Sequence, residues 1–270
     1  MTIKFDLHTH HERCGHAIGT IEDYIRQAIQ LNLDYIGISD HTPHFYSEED
    51  HLYPGIAMQK SEFNSYVEEV LQLKEKYASK IHVLLGIESD FFIDHMTHYQ
   101  RQFELYPFDY IIGSVHFVHD INIFQRGRFD LLTESERVQV KENYYEQIAL
   151  SAKSGLFQIL GHIDAMKGYY PPFSDLETEA VDKTLKIIGE QQVAIEINTS
   201  GKTKDVRGWY PADDILERAL FYSVPVTFGS DAHTPERIAD DFDLVRKRLR
   251  EIGYKEWTYF INRKAVHVSL

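Results

Sequence analysis

Short, almost wholly apolar runs recur along this chain, and they are separated by longer stretches in which apolar residues return every three or four positions. Apolar runs of about four to eight residues predict buried strands, whereas the wider spacing predicts amphipathic helices. The first strand begins at residue 4, and the other six cover 34–41, 81–87, 108–116, 157–162, 193–198 and 224–233. Seven strands that alternate with helices indicate parallel βαβ units.

Helices are predicted in the stretches that follow the strands, and Thr20 stands where it can cap the first of them. Their ranges are 21–31, 58–79, 95–104, 134–153, 175–191, 211–222 and 236–251. We expect a loop over 42–57, a lid-like loop over 117–133, and one or two short extended pieces over 256–269. No linker or repeat interrupts the pattern, so we expect residues 1–270 to form one α/β barrel domain.

Potential metal ligands stand at the carboxyl ends of six of the seven predicted strands. His8 and His10 lie two residues apart, so an extended chain points both imidazoles to the same side. In a closed barrel the strand ends share one face, where barrel enzymes place their chemistry. The sequence therefore predicts that these side chains meet at a single site.

The candidate ligands comprise seven histidines and two carboxylates. They are His8, His10, His16, His41, Glu88, His116, His162, Asp231 and His233. Nine ligands exceed what one tetrahedral ion needs, so we expect two or three divalent ions, with Glu88 bridging a pair. Mixed imidazole and carboxylate ligands suit Zn, Fe or Mn, and the sequence does not choose among them.

These motifs resemble those of the polymerase-and-histidinol-phosphatase (PHP) superfamily, and among its members the monofunctional histidinol-phosphate phosphatases are the most similar. In chain order they read His8-Thr9-His10, Ser39-Asp40-His41, Glu88, Gly113-Ser114-Val115-His116, Gly161-His162 and Gly229-Ser230-Asp231-Ala232-His233. The narrower resemblance includes Cys14-Gly15-His16-Ala17, Thr42-Pro43 and Glu196-Ile197-Asn198-Thr199-Ser200-Gly201. It extends over nearly the whole chain.

The resemblance implies a distorted (β/α)7 TIM-like barrel with a trinuclear metal site at the carboxyl ends of its strands. It implies hydrolysis of L-histidinol phosphate to L-histidinol and phosphate, in histidine biosynthesis, by a metal-bridging hydroxide. It also implies how the ligands divide among three ions. The sets are His8, His10, Glu88 and Asp231; Glu88, His116 and His162; and His16, His41 and His233.

A phosphate dianion favours a bidentate cation in addition to metal. Arg207 is the first candidate for that contact, with Lys202 and Arg128 behind it. Asn198 and Ser230 are expected to add hydrogen bonds to the substrate. The candidate catalytic residues are Asp231, His233 and Asp40, the last two as proton donors to the leaving alkoxide.

The formal net charge of −14 argues against a nucleic-acid partner, because phosphate backbones are held by basic patches. It is compatible with a small phosphorylated substrate bound through metal ions. No apolar run approaches the roughly 20 residues that cross a membrane, and no secretory signal is visible. A single cysteine allows no internal disulfide, so we expect a cytoplasmic protein, and its oligomeric state is left open.

Three other functions are compatible with part of the pattern. A PHP-type phosphoesterase with another substrate, or with exonuclease-like activity, would keep the same metal site. An amidohydrolase barrel also begins with His-x-His, but it commonly bridges its metals through a modified lysine, where this chain offers Glu88 and His116. A regulatory metal-binding module would be expected to lack some ligands.

The segment 117–130 departs from the loop of many relatives, and His44 and His119 are further candidates for substrate contact.

Overall fold

The computed structural model describes residues 3–118 and 121–270. The strands are β1 (Phe5–Asp6), β2 (Tyr35–Ile38), β3 (His82–Leu85), β4 (Glu88–Asp90), β5 (Ile112–Ser114), β6 (Phe117–Val118), β7 (Ile121–Asn122), β8 (Ile159–Leu160), β9 (Ala194–Asn198), β10 (Val226–Gly229), β11 (Glu256–Ile261) and β12 (Lys264–Ser269). The α-helices are α1 (Ile21–Gln30), α2 (Phe63–Tyr77), α3 (Met96–Phe103), α4 (Glu134–Lys153), α5 (Ala180–Gln191), α6 (Asp213–Phe221) and α7 (Phe242–Ile252).

Eight parallel strands form two arcs that close into a barrel. One arc has the order β1-β2-β3 and the other the order β10-β9-β8-β5-β4. A parallel bridge between Thr9 and Ala232 joins β1 to β10, and another between His41 and Glu88 joins β2 to β4. Because β3 and β4 are successive parts of one strand position, the barrel has seven positions, and the predicted (β/α)7 fold is confirmed.

The ring of Tyr110 lies fully buried against three strand positions of the barrel. Its hydroxyl donates to the backbone carbonyl of Leu7 at 2.5 Å. A Cβ atom built on Gly37 or Gly86 would overlap this ring, so two glycines leave the space that the tyrosine fills. The apolar strand positions therefore contain Gly37 and Gly86 because the barrel interior must accommodate the large ring of Tyr110.

Several predicted boundaries differ from the observed ones. The N-cap of α1 is confirmed, since Thr20 and Asp23 form a reciprocal capping box. Helix α7 begins at residue 242 rather than 236, because residues 235–237 form a 3-10 turn. Ala239 and Asp241 then adopt left-handed backbone conformations, with φ angles of 56° and 60°. A helix cannot continue through such residues.

The loop and the tail are also more regular than the sequence pattern suggested. The predicted loop over 117–133 contains the short antiparallel pair β6–β7, and the tail forms the antiparallel hairpin β11–β12. The tail packs onto the barrel through Trp257, whose ring centroid lies 4.9 Å from Phe5 and 4.8 Å from Phe242. Among the described residues, none of the helices is both long and apolar enough to span a membrane.

We predict that Gly86→Ala lowers the free energy of unfolding by about 1–3 kcal/mol, because the added methyl group overpacks the Tyr110 ring. Chemical denaturation monitored by circular dichroism measures this change. Gly208→Ala is the matched control, because a Cβ there meets only one backbone oxygen, at 3.8 Å. Equal destabilisation by both variants would contradict this role for Tyr110.

Candidate metal centre

Glu88, at the start of β4, is the residue around which the strand-end side chains gather. It is almost fully buried, and the hydroxyl of Ser114 donates to its Oε1 at 2.6 Å. Five imidazoles approach its two oxygens. The distances are 3.3 Å from His8 Nε2, 3.5 Å from His10 Nε2, 2.9 Å from His41 Nδ1, 3.5 Å from His116 Nε2 and 3.1 Å from His162 Nε2.

Asp231, just after β10, brings a second carboxylate to the cluster. Its Oδ1 lies 3.0 Å from His10 Nε2 and 3.8 Å from His8 Nε2. Its Oδ2 accepts hydrogen bonds from Ser200 Oγ at 2.9 Å and Asn198 Nδ2 at 3.2 Å. These two bonds orient the carboxylate so that its other oxygen faces the imidazoles.

His16 and His233 lie together at the more exposed side of the cluster. Their Nε2 atoms are 2.9 Å apart, and the ring of His233 stacks 4.2 Å from that of His10. The ring centroid of His41 lies 5.3 Å from that of His16, so His41 stands between this group and Glu88. All nine predicted ligands therefore converge on one region, as their strand-end positions implied.

Carboxylates behind the cluster orient three of the imidazoles. Glu196 Oε2 lies 2.8 Å from His8 Nδ1, Asp40 Oδ1 lies 3.2 Å from His10 Nδ1, and Asp90 Oδ1 lies 2.8 Å from His116 Nδ1. In each pair the Nε2 atom is left to face the centre. A carboxylate behind a metal-binding histidine usually fixes its tautomer and ring orientation in this way.

Glycines make room for Glu196 beneath the site. A Cβ on Gly229 would lie 2.5 Å from Glu196 Oε2 and 2.6 Å from the Cβ of His8. Glu196 also accepts the backbone N–H of His162 at 2.9 Å, so it supports two strand-end histidines at once. His162 and Asp231 adopt positive φ angles of 27° and 53°, which are unfavourable for such residues and typical of functional sites.

The donor set fits divalent metal ions. Within the described part of the chain, the buried Nε2 atoms of His8 and His10 have no hydrogen-bond partner, although they point towards carboxylates. Groups of ligand atoms close enough to share an ion include His8, His10 and Glu88; His41, Glu88 and His116; and His10, His41 and His233. A buried polar atom without a partner is unfavourable, and coordination would satisfy it.

The electrostatics of the site also favour cations. Burial opposes ionisation of Glu88 and Asp231, but the surrounding imidazoles hold the pKa of each carboxyl well below its usual range. Burial lowers the pKa of His233 to about 3 and that of His16 to about 4. Both imidazoles are therefore neutral near neutral pH, the form that coordinates a metal ion.

A cavity of about 500 Å³ opens over the ligand cluster, a size that suits a small molecule. Five imidazoles and two carboxylates of the cluster form its floor, and aromatic and cationic side chains form its walls. The wall residues include Phe117, Phe124, Tyr169, Lys204 and Arg237.

The three cations predicted to contact phosphate, Arg207, Lys202 and Arg128, lie outside the lining of this cavity. Arg207 is exposed to solvent. Lys202 pairs with Asp240 and Asp241 at 2.9 and 2.7 Å. Arg128 donates to the backbone carbonyls of residues 121 and 122 at 3.0 and 3.2 Å. Among the described residues, the lysine and arginine side chains that line the cavity are those of Lys204 and Arg237.

Asn198 and Ser230 are also placed differently from their predicted role. Both are fully buried outside the cavity lining, where Asn198 holds Asp231 and Ser230 donates its backbone N–H to Asp6 at 2.9 Å. Asp6 accepts the N–H groups of His8 and Ala239 as well, so it organises backbone rather than an imidazole. These residues support the site from behind because their strands place them beneath the ligands.

Asp40, the predicted proton donor, lies behind the ligand cluster. It is fully buried between His10 Nδ1 and His11 Nδ1, each at 3.2 Å, and it does not line the cavity. Burial opposes its ionisation, but these histidines hold its pKa below the usual range, which favours the ionised carboxylate. His233 does line the cavity.

The sequence pattern assigned no role to Glu196, Asp90, Ser200 or Lys204. Glu196 and Ser200 belong to a quoted motif, and Asp90 stands two residues after Glu88 on β4, which is the signal that was available. His44 is buried with Nε2 3.9 Å from Asp90 and is not part of the cavity lining. His119 lies outside the described residues.

We predict that Glu196→Gln weakens metal binding by about 10- to 100-fold, because the amide no longer holds His8 as a carboxylate does. Metal content after dialysis against a weak chelator measures the change, with circular dichroism to verify the fold. Glu190→Gln, on the exposed surface of α5, serves as the control. Unchanged metal content in the Glu196 variant would contradict this positioning role.

Comparison with known proteins gives relatives that align along nearly the whole chain. A probable histidinol-phosphatase of Deinococcus radiodurans is 28% identical over 263 residues, covering 96% of this chain and 97% of the relative. The histidinol-phosphatase of Bacillus subtilis is 28% identical over 251 residues, covering 85% and 93%.

Two solved structures share the fold. The histidinol phosphate phosphatase of Lactococcus lactis, in complex with Zn, L-histidinol and phosphate, gives a TM-score of 0.79 at 20% identity, covering 97% of this chain and 98% of that one. A putative histidinol phosphatase of Listeria monocytogenes gives 0.75 at 23% identity, covering 89% and 99%. The PHP domain family matches residues 6–200, most of the length of the barrel, and the chain therefore belongs to the PHP domain family.

Proposed function

We propose that this protein is a metal-dependent phosphomonoesterase that hydrolyses L-histidinol phosphate to L-histidinol and phosphate, in histidine biosynthesis. The observation that carries the proposal is the convergence of the nine predicted ligands, with Glu88 at their centre, beneath a cavity of about 500 Å³. The aligned relatives named as histidinol-phosphatases support the choice of substrate.

The proposed cofactors are two or three divalent ions, of Zn, Fe or Mn. Glu88 would bridge two ions, because its oxygens face separate groups of imidazoles: His8, His10 and His41 at Oε2, and His116 and His162 at Oε1. The pair His16 and His233 would hold a further ion together with His41 or His10. Bound ions supply Lewis acidity that activates water and offsets the charge of a phosphate group.

The proposed reaction is attack of water on phosphorus, with a new P–O bond formed to water and the bond to the alcohol broken. A proton released by the attacking water passes to the leaving alkoxide, so the products are the alcohol, with its hydroxyl group restored, and inorganic phosphate. Asp231 would act here as an oriented ligand, since Ser200 and Asn198 hold its Oδ2. His233 lines the cavity as a neutral imidazole, which suits a ligand better than a proton donor.

Lys204 is the proposed contact for the phosphate group. It lines the cavity, and no carboxylate among the described residues lies within ion-pair distance of its Nζ. Arg237 also lines the cavity but already donates to Asp240 at 2.7 Å. An unpaired ammonium beside a metal centre favours a dianionic group.

Three further features belong to the proposal. Residues 1–270 would act as one domain, since the terminal hairpin packs on β1. A cytoplasmic location and the absence of a nucleic-acid partner stay predictions from the sequence and its charge of −14.

We predict that the metal-loaded protein releases phosphate from L-histidinol phosphate faster than from other phosphomonoesters. Chelation should abolish this activity, and added Zn, Mn or Fe should restore it. His116→Ala should lower kcat/KM by at least about 100-fold, because an ion loses one of its ligands. His82→Ala is the control, because this histidine is exposed at the opposite end of its strand.

The outcomes separate the alternative functions. Full activity in the chelated protein or in His116→Ala would contradict the metal centre. Equal rates across a panel of phosphomonoesters would contradict histidinol phosphate as the substrate and leave a broader phosphoesterase. Metal binding without hydrolysis of any ester would indicate a regulatory module.

We predict that Lys204→Gln raises the KM for the phosphate ester by roughly 10-fold, because a charged hydrogen bond to phosphate is lost. Inhibition by inorganic phosphate should weaken by a similar factor. Lys202→Gln is a matched control two residues away, because its ammonium pairs with Asp240 and Asp241. If Lys202→Gln raised the KM more than Lys204→Gln does, Lys202 rather than Lys204 would be the phosphate contact.

A further inference from the structure

One side of the cavity over the metal centre is aromatic. Phe117, Phe124 and Tyr169, here called the aromatic wall, all line it. The ring centroid of Phe124 lies 5.9 Å from that of His116 and 6.2 Å from that of His162. The wall therefore begins where the ligand cluster ends, next to the position at which a bound ester would react.

The central residue of the wall is held in place by its surroundings. The backbone N–H of Phe124 donates to Asn122 Oδ1 at 2.8 Å, and its ring packs edge-on against Tyr169 at 6.2 Å. Tyr169 is covered in turn by the guanidinium of Arg126, 4.1 Å from its ring centroid. Arg126 Nη2 also donates to Asp205 Oδ1 at 3.0 Å, which ties the two loops together.

The positive charge of Lys204 lies at the same edge of the cavity. Its Nζ is 5.9 Å from the ring centroid of Phe124 and 5.6 Å from that of Tyr169. Lys204 and the ring faces thus lie on the same side of the cavity, next to the ligand carboxylates of its floor. A phosphate held between Lys204 and the metal ions would leave the ring faces to a flat organic group.

We propose that the aromatic wall reads the ring of the substrate, with Phe124 as the specificity-determining residue, so that the enzyme prefers phosphate esters of alcohols bearing a flat heteroaromatic cation or ring. This inference rests on the proposed function, because it assigns the leaving-group side of the same site. Aromatic faces attract both imidazole rings and imidazolium cations, and an aliphatic side chain of similar size does neither as well.

Two residues of the wall, Phe117 and Phe124, belong to the segment 117–130, and the third, Tyr169, lies in the loop after β8. Residues 121–130 supply Phe124 and Arg126, whereas the metal ligands come from the strand ends. Selectivity for the alcohol is thereby separated from the metal chemistry, since loops vary without disturbing the barrel. Loss of the wall should change which ester is accepted while the metal content stays the same.

The test is calorimetric titration of the metal-loaded protein with L-histidinol and, separately, with inorganic phosphate. Phe124→Leu should weaken binding of L-histidinol by roughly 3- to 10-fold and leave binding of phosphate unchanged. Phe124→Tyr keeps a ring and should retain wild-type affinity for both. Phe129→Leu removes a ring from the same segment, but this buried residue stacks on Tyr170 and lies outside the cavity lining, so it should change neither.

Each other outcome overturns the proposal. Equal weakening of both ligands by Phe124→Leu would make Phe124 a structural residue only, as would the same loss in Phe129→Leu. Unchanged binding of L-histidinol in Phe124→Leu would exclude contact with the ring. Because binding is measured without turnover, failure of the wild type to hydrolyse histidinol phosphate would contradict the proposed function and not this assignment.

Discussion

The carboxylate of Glu88 lies almost fully buried among five imidazoles, with ring nitrogens between 2.9 and 3.5 Å from its oxygens. An ionised carboxylate in such a place is unfavourable unless positive charge compensates it. Protons on the imidazoles or bound cations can both supply that charge, and the unpartnered Nε2 atoms of His8 and His10 favour cations. The barrel is built so that its strand ends meet at this carboxylate.

Around the ligands lies a second set of polar groups that fixes their orientation. Glu196, Asp40 and Asp90 accept from the outer ring nitrogens of three histidines, and Ser200 with Asn198 hold Asp231. These groups are buried, so water cannot compete for them. The left-handed backbone at Asp231 persists because this surrounding network over-determines it.

The site divides into a rigid floor and a wall made of loops. The floor lies at the ends of parallel strands, and the hydrogen bonds between these strands hold the ligands in fixed positions. The wall comes from Phe117, Asn122, Phe124 and Tyr169, together with Lys204 and Arg237. A barrel with this floor can serve different substrates by changing its loops, which is why the family alone does not identify the ester.

The sequence by itself determined the barrel and its metal-binding face. Strand periodicity and strand-end residues depend on local chain geometry, so all nine candidate ligands could be named from the sequence. The tertiary structure alone decided which charged side chains form ion pairs and which side chains reach the cavity. Lys202 and Lys204 stand two residues apart, but only the fold brings Asp240 and Asp241 to the former and leaves the latter facing the site. Such pairings join residues distant in sequence, and no local pattern encodes them.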